Sequence, residues 1–183
     1  MKRETREFHN VEFRTAGKTP MLQGYAAVFN DIAHGEMIAP GAFAKSLQEQ
    51  ADIKAYLGHS TLHILARTAN GSLRLREDEK GLRFTLKPNA KTTVGSDVVE
   101  MARDGLLDGM SFGFAPVQES YREIDGERIR VLEEVRLFEV SVVTEPWYQS
   151  TELELSERDR NVLDLRRRRL SLFIDALSAG RAR

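Results

Sequence analysis

Ser111 stands in the run Gly109-Met110-Ser111-Phe112-Gly113-Phe114. The flanking Phe and Val residues predict a strand, in which side chains two apart share a face. Ser111 then shares its face with Gly109 and Gly113, while Met110, Phe112 and Phe114 anchor the opposite face in a core. A hydroxyl exposed between two glycines could be presented to a peptide as a nucleophile. The same pattern also suits a β-bulge or a tight crossing, because glycine inside a strand marks close backbone approach. The spacing matches a nucleophile elbow, but the helix that should follow is missing: Ala115-Pro116-Val117 leads into another extended run.

Two further residues could complete the chemistry. His59 ends a strand read over 53–59, where Ile53, Ala55, Leu57 and His59 line one face up to a turn at Ser60. A lone histidine at a strand end is often just a satisfied or surface residue, and His63 lies near enough to compete for any role. Glu139 lies in the last strand, 135–143. Alternation puts Val135, Leu137, Glu139, Ser141 and Val143 on one face and Phe138, Val140 and Val142 on the other. A carboxylate in an apolar row needs a partner, and an arginine ion pair would serve as well as a histidine. In acyl transfer, the serine attacks and the histidine takes its proton and returns it to the leaving amine. The carboxylate fixes the imidazole tautomer. The chain order would be His59, Ser111, Glu139. A thiol nucleophile is excluded because the chain has no cysteine. A metal site is not expected, since His59 and His63 are on no helix and no acid completes a ligand set between them.

Several strands have to position these residues. At 183 residues, 41% hydrophobic and 30% charged, the chain suits one domain with a substantial core. No apolar run approaches the length of a membrane span, and the charged start Met1-Lys2-Arg3-Glu4 reads as no secretory leader. A net charge of −1 carries no nucleic-acid signature. Strands are expected around 7–14, 21–29, 36–38, 64–67, 72–77, 82–86, 119–121 and 128–131, besides those already named. Asn70-Gly71 is read as the turn of a hairpin and Asp125-Gly126 as another turn. A helix of about ten residues is expected from Ala42, entered through Pro40. A second is expected over 97–104, with Asp97 as its cap and Gly105 as its stop. Many short strands and few helices predict a mainly β (α+β) fold: an antiparallel barrel or sandwich with helices outside it.

The C-terminal part has a different composition. Residues 155–183 carry eight arginines against four acids, a local balance of +4. Leu163, Leu170 and Leu177 recur seven apart. We therefore expect a barrel domain over 1–155 and a basic amphipathic helix or tail over 156–183. The tail reads either as a packing helix or as a segment that docks on an acidic partner.

Taken in order, these runs resemble the tailed-bacteriophage prohead proteases over about residues 21–152. The resemblance is carried by Gly24-Tyr25-Ala26-Ala27-Val28-Phe29, Ile38-Ala39-Pro40-Gly41-Ala42-Phe43 with Ser46-Leu47, and Leu57-Gly58-His59. Arg67-Thr68, Gly71-Ser72-Leu73 and Glu77-Asp78-Glu79-Lys80-Gly81-Leu82 extend it. Gly109-Met110-Ser111-Phe112-Gly113-Phe114 and Leu137-Phe138-Glu139-Val140-Ser141-Val142-Val143-Thr144, with Pro146, complete it. The resemblance implies a serine endopeptidase on a herpesvirus-assemblin type of β-barrel, with Ser111 as nucleophile, His59 as general base and Glu139 as third member. It implies no cofactor. It also implies a homo-oligomer inside the assembling procapsid in the host cytoplasm, cutting scaffold or the scaffolding arm of the major capsid protein, and itself. Membrane and specific nucleic-acid binding are not expected. The family histidine is commonly followed by Asp, where this chain has Ser60. The competing readings are a small esterase or amidase with the same triad, and a non-catalytic assembly module that keeps the barrel for binding.

Overall fold

The computed structural model describes residues 2–9, 11–14, 20–49, 52–107 and 109–144. The basic segment expected over 156–183, and its boundary at 155, lie outside the described residues. Among the described residues, ten strands and two helices follow in chain order. These are β1 (Glu4–His9), β2 (Val11–Arg14), β3 (Met21–Val28), β4 (Glu36–Ile38), α1 (Ala44–Glu49), β5 (Lys54–Leu57) and β6 (Ser60–Arg67). After a 3-10 turn at Thr68–Asn70 come β7 (Leu73–Glu77), β8 (Gly81–Leu86), α2 (Thr93–Arg103), β9 (Gly109–Ile124) and β10 (Glu127–Val143). The fold is mainly β with few helices, as expected. No helix among the described residues is long and apolar enough to cross a membrane.

The larger sheet runs β1-β9-β10-β5-β6, with β4 also paired to β10; the smaller runs β2-β3-β8-β7. An all-antiparallel arrangement was expected, but β4 and β5 both run parallel to β10. Between β4 and β5 the chain passes through α1 before it resumes the same direction, and a parallel return requires such a crossover. The expected strand over 7–14 is two strands in different sheets, β1 against β9 and β2 against β3. Asn70-Gly71 makes a tight turn, with Gly71 at φ 72, but not a hairpin. Instead β6 pairs with β5 and β7 with β8, so this turn passes the chain from one sheet to the other.

The core lies under the apolar face of β9 and β10. Met110, Phe112 and Phe114 are fully buried there with Leu137, Val140 and Val142. Phe43 meets Phe112 edge-on at 5.2 Å, and Phe112 lies 5.0 Å from Phe114. Each such pair adds about 1 kcal/mol beyond the area it buries. The second helix starts four residues earlier than Asp97 predicts. Its cap is Thr92, whose hydroxyl accepts from the Gly95 N–H at 3.1 Å. Gly105 ends the helical region at φ 70, as its position suggests.

Charged side chains tie β1 to the hairpin of β9 and β10. Glu36 is almost fully buried. It accepts from Arg6 at 2.5 and 2.8 Å and from Arg130 at 2.9 Å. Arg130 also donates to Glu4 at 2.9 Å and pairs with Glu119. The bond from Arg130 holds the Glu4 carboxyl below the usual glutamate value. A buried carboxylate such as Glu36 is tolerated only with partners of this kind.

The segment after β4 acts as a strap along β10. The Ala39 N–H donates to the Leu132 carbonyl at 3.0 Å, and the Ala42 carbonyl accepts from the Val135 N–H at 2.9 Å. The buried Ser46 hydroxyl in α1 then accepts from the Leu137 N–H at 2.8 Å. Leu137 borders a register shift in the β9–β10 ladder, between Leu137 and Glu139. A bulge leaves one strand's backbone unpaired locally, and Ser46 satisfies it. Ser46→Ala should strip a buried N–H of its acceptor and cost roughly 1–3 kcal/mol. For a domain of this size that is a fall in Tm of several degrees, measurable by calorimetry. An unchanged Tm would mean the bulge does not depend on Ser46.

Candidate active site

The bulge decides which way Glu139 points. Simple alternation predicts Leu137 and Glu139 on one face. In the structure Leu137 pairs with Phe114 and Glu139 with Gly113, so one residue of β10 is skipped between them. That extra residue turns Leu137 into the core while Glu139 and Ser141 point to the opposite side. The carboxylate does not interrupt an apolar row, because it no longer belongs to it. On β9 the alternation holds as expected: Gly113 and Ser111 lie directly opposite Glu139 and Ser141. Cross-strand partners share a face. The ladder therefore puts the Ser111 hydroxyl and the Glu139 carboxylate on the same side of the sheet.

His59 arrives from the neighbouring strand. The strand read over 53–59 stops at Leu57, so His59 does not continue the apolar row of Ala55 and Leu57. Gly58 at φ 57 and His59 at φ 58 form a two-residue turn, and Leu57 pairs directly with Ser60. Two successive left-handed residues are the mark of a type I′ hairpin turn. Glycine adopts that conformation freely. Histidine does so at a cost, which is often borne where a side chain must be aimed. Because β5 runs parallel to β10, with Ala55 opposite Val140 and Leu57 opposite Val142, the turn follows at the end of the paired segment, just past Ser141. The Val142 carbonyl holds it there by accepting from the Gly58 N–H at 2.9 Å.

The two side chains meet. His59 Nδ1 lies 2.6 Å from Glu139 Oε1. An ionised carboxylate only accepts, so Nδ1 carries the proton and Nε2 is left as the basic nitrogen. The second carboxylate oxygen, Oε2, accepts from the Ser141 hydroxyl at 2.7 Å. Tyr56, opposite Ser141 on β5, has its phenol pushed up chiefly by burial and further by the Glu139 charge, so it stays neutral.

Gly113 is the reason the carboxylate fits. A Cβ built there would lie 2.6 Å from Glu139 Oε1 and 3.1 Å from its Cγ. The second glycine of the Gly-x-Ser-x-Gly run therefore leaves room for the acid, whereas the sequence suggested a passing backbone or a peptide. Ser111 is fully buried, and its hydroxyl has no hydrogen-bond partner among the described residues. The structure thus pairs His59 with Glu139 directly and puts Ser111 on their side of the sheet by register, without a bond to His59. His63 is exposed on β6, facing a cleft of about 410 Å³ with Leu57, Met101 and Leu106, and plays no part in this pairing.

Sequence reasoning missed two contributors, Ser46 and Ser141. Ser141 carried a signal, since it lies two residues from Glu139 and so shares its face. Ser46 stood only in a run that carries the family resemblance, with nothing to mark its role, because the bond it makes is set by how α1 docks on β10.

Comparison with known proteins gives the family. The caudovirus prohead serine protease family matches residues 5–164. The prohead protease of Enterobacteria phage HK97 is 31% identical over 139 residues, which is 74% of this chain and 60% of that protein. The chain thus spans about three fifths of the length of the curated relative it matches. No solved structure matches it. The family match takes in the His59 turn, the Ser111 strand, the Glu139 bulge and the strap that carries Ser46. On that extent of similarity the chain belongs to the caudovirus prohead serine protease family.

Proposed function

We propose that the protein is a serine endopeptidase that matures a viral procapsid, with Ser111 as nucleophile, His59 as general base and Glu139 as the acid that orients it. The observation that carries this reading is the 2.6 Å bond from His59 Nδ1 to a carboxylate on the same sheet face as Ser111. In the reaction His59 Nε2 takes the Ser111 proton as Oγ attacks the scissile carbonyl carbon. The Oγ–C bond forms and the carbonyl π pair moves to oxygen. The imidazolium then protonates the leaving amine as the C–N bond breaks. Water hydrolyses the acyl-enzyme by the same steps in reverse roles. Glu139 holds the tautomer and steadies the imidazolium throughout.

Since Ser111 is buried, a peptide reaches it only after its cover opens. That suits an enzyme silent until it is enclosed with its substrate. The cleft beside the His59 hairpin, floored by Leu57, Met101 and Leu106, is where an extended peptide would place a side chain. We also read the two sheets as walls of a barrel of the herpesvirus-protease type, a reading supported by β3 of the smaller sheet packing against β1 and β9 of the larger. In this reading 1–155 is the protease domain and 156–183 a basic tail that docks on the immature shell. The substrates are scaffold or the capsid protein's scaffolding arm, and the protease chain itself.

The test is co-expression with its capsid protein, followed by intact mass of both chains for wild type and Ser111→Ala. Trimmed capsid protein or shortened protease with wild type alone supports the reading. Trimming in both removes Ser111 from the mechanism. Full-length chains in both favour the binding module.

A further inference from the structure

We propose that Ser141 is a positioning residue of this site, tying the Glu139 carboxylate to the backbone of the turn that carries His59. The inference rests on the catalytic reading of His59, Ser111 and Glu139 given above, and adds to it a side chain that none of those three roles uses.

Ser141 is fully buried, next to Ser111 across the β9–β10 ladder and next to Tyr56 across the β10–β5 ladder. Its hydroxyl has one proton, which goes to Glu139 Oε2 at 2.7 Å. Toward the His59 N–H, 3.3 Å away, it is therefore the acceptor. One oxygen atom thus links the acid to the main chain of the base. Glu139 is held at both ends, Oε1 by the His59 ring and Oε2 by Ser141. Without the second bond the carboxylate can turn about its last torsion, which is broad for a carboxyl group. The His59 amide, in a left-handed turn that costs free energy for a non-glycine residue, would lose its acceptor as well. Ser141 thereby holds both partners of the 2.6 Å bond in place.

The same geometry separates the two serines on this face. Ser141 has its proton engaged by a carboxylate and a lone pair engaged by an amide, so it is poorly placed to attack. Ser111 has neither bond among the described residues. The two neighbouring hydroxyls have different tasks: one reacts and the other aligns.

The test uses the full chain co-expressed with its capsid protein, where the cover over Ser111 opens, and a fluorophosphonate probe, which reacts only with an activated serine. Labelling is followed by intact mass, and the modified residue is found by peptide mapping. Wild type should label at Ser111 and Ser111→Ala should not label. Losing a hydrogen bond to a charged group should slow Ser141→Ala roughly ten- to a hundredfold. In a Glu139→Gln background the same substitution should slow labelling by less than about twofold, because coupled residues are not additive. A second readout needs no variant. The Ser141 hydroxyl proton of wild type should exchange slowly and show a nuclear Overhauser effect to the His59 amide proton; a rapidly exchanging hydroxyl overturns the proposal. Labelling of Ser141 itself, a wild-type rate for Ser141→Ala, or the full slowing in Glu139→Gln also overturns it. If wild type and Ser111→Ala label alike, the nucleophile is wrong and the positioning role falls with it. If they differ but Ser141→Ala labels like wild type, only the role of Ser141 falls.

Discussion

Ser111→Ala should abolish peptide cleavage while leaving the fold intact, with kcat down at least about a thousandfold. The substitution removes one oxygen from a fully buried position whose hydroxyl has no hydrogen-bond partner among the described residues. Nothing in the packing depends on that oxygen, so Tm should stay within about a degree or rise. Stability and activity should therefore separate completely. The measurement is cleavage of a peptide spanning the trimmed site of the capsid protein, with calorimetry on the same samples. His59→Ala should lose activity to a similar extent, and the double variant should be no worse than either, since the two act as one unit. A Ser111→Ala protein that still cleaves would place the nucleophile elsewhere on this face, and Ser141 would be examined first.

Gly113→Ala should be nearly as damaging to activity, although residue 113 has no role in the chemistry. The added Cβ lies 2.6 Å from Glu139 Oε1, closer than atoms can pack. The β9–β10 ladder runs in register from this pair to Gly109–Val143 and resumes across the bulge at Phe114–Leu137, and the atom met first is the far end of the glutamate side chain, so that flexible end is what moves. Oε1 then leaves His59 Nδ1, and the imidazole is free to take the tautomer that cannot accept a proton from Ser111. Loss of that orientation in a serine triad is worth on the order of 10² to 10⁴ in kcat. KM should change little, because Gly113 faces the carboxylate and not the cleft. Gly113→Ala combined with Glu139→Gln should be no slower than Glu139→Gln alone, since the methyl group acts only by displacing the acid. Near-normal kcat in Gly113→Ala would show that His59 does not need Glu139. The conformation at 113 does not itself require glycine, so lost activity would report on space and not on backbone strain.

Much of this site was legible in the sequence, and the reason is period. Strand side chains alternate, so Gly109-Met110-Ser111-Phe112-Gly113-Phe114 is enough to place Ser111 opposite a row of large apolar groups, and the structure keeps that arrangement. The same rule failed at Glu139. A single extra residue in β10 reverses every side chain beyond it, and a bulge leaves no mark on residue type. It failed at His59 too, because a left-handed turn at a non-glycine residue is decided by where the side chain must go, not by local preference. The turn at Asn70-Gly71 was visible but its consequence was not, since a tight turn can close a hairpin or switch sheets, and only distant strands settle which.

Residue types and their order specify a mainly β chain with a serine, a histidine and a carboxylate available for acyl transfer. Those features follow from composition and from the two-residue period of strands. The tertiary structure decided which faces they share. It did so through the parallel docking of β5 on β10, the bulge that Ser46 supports, and the space above Gly113 that the Glu139 carboxylate fills. Each of these depends on contacts between residues dozens of positions apart, where register is set by packing and hydrogen-bond satisfaction over the whole sheet and not by any one stretch of chain.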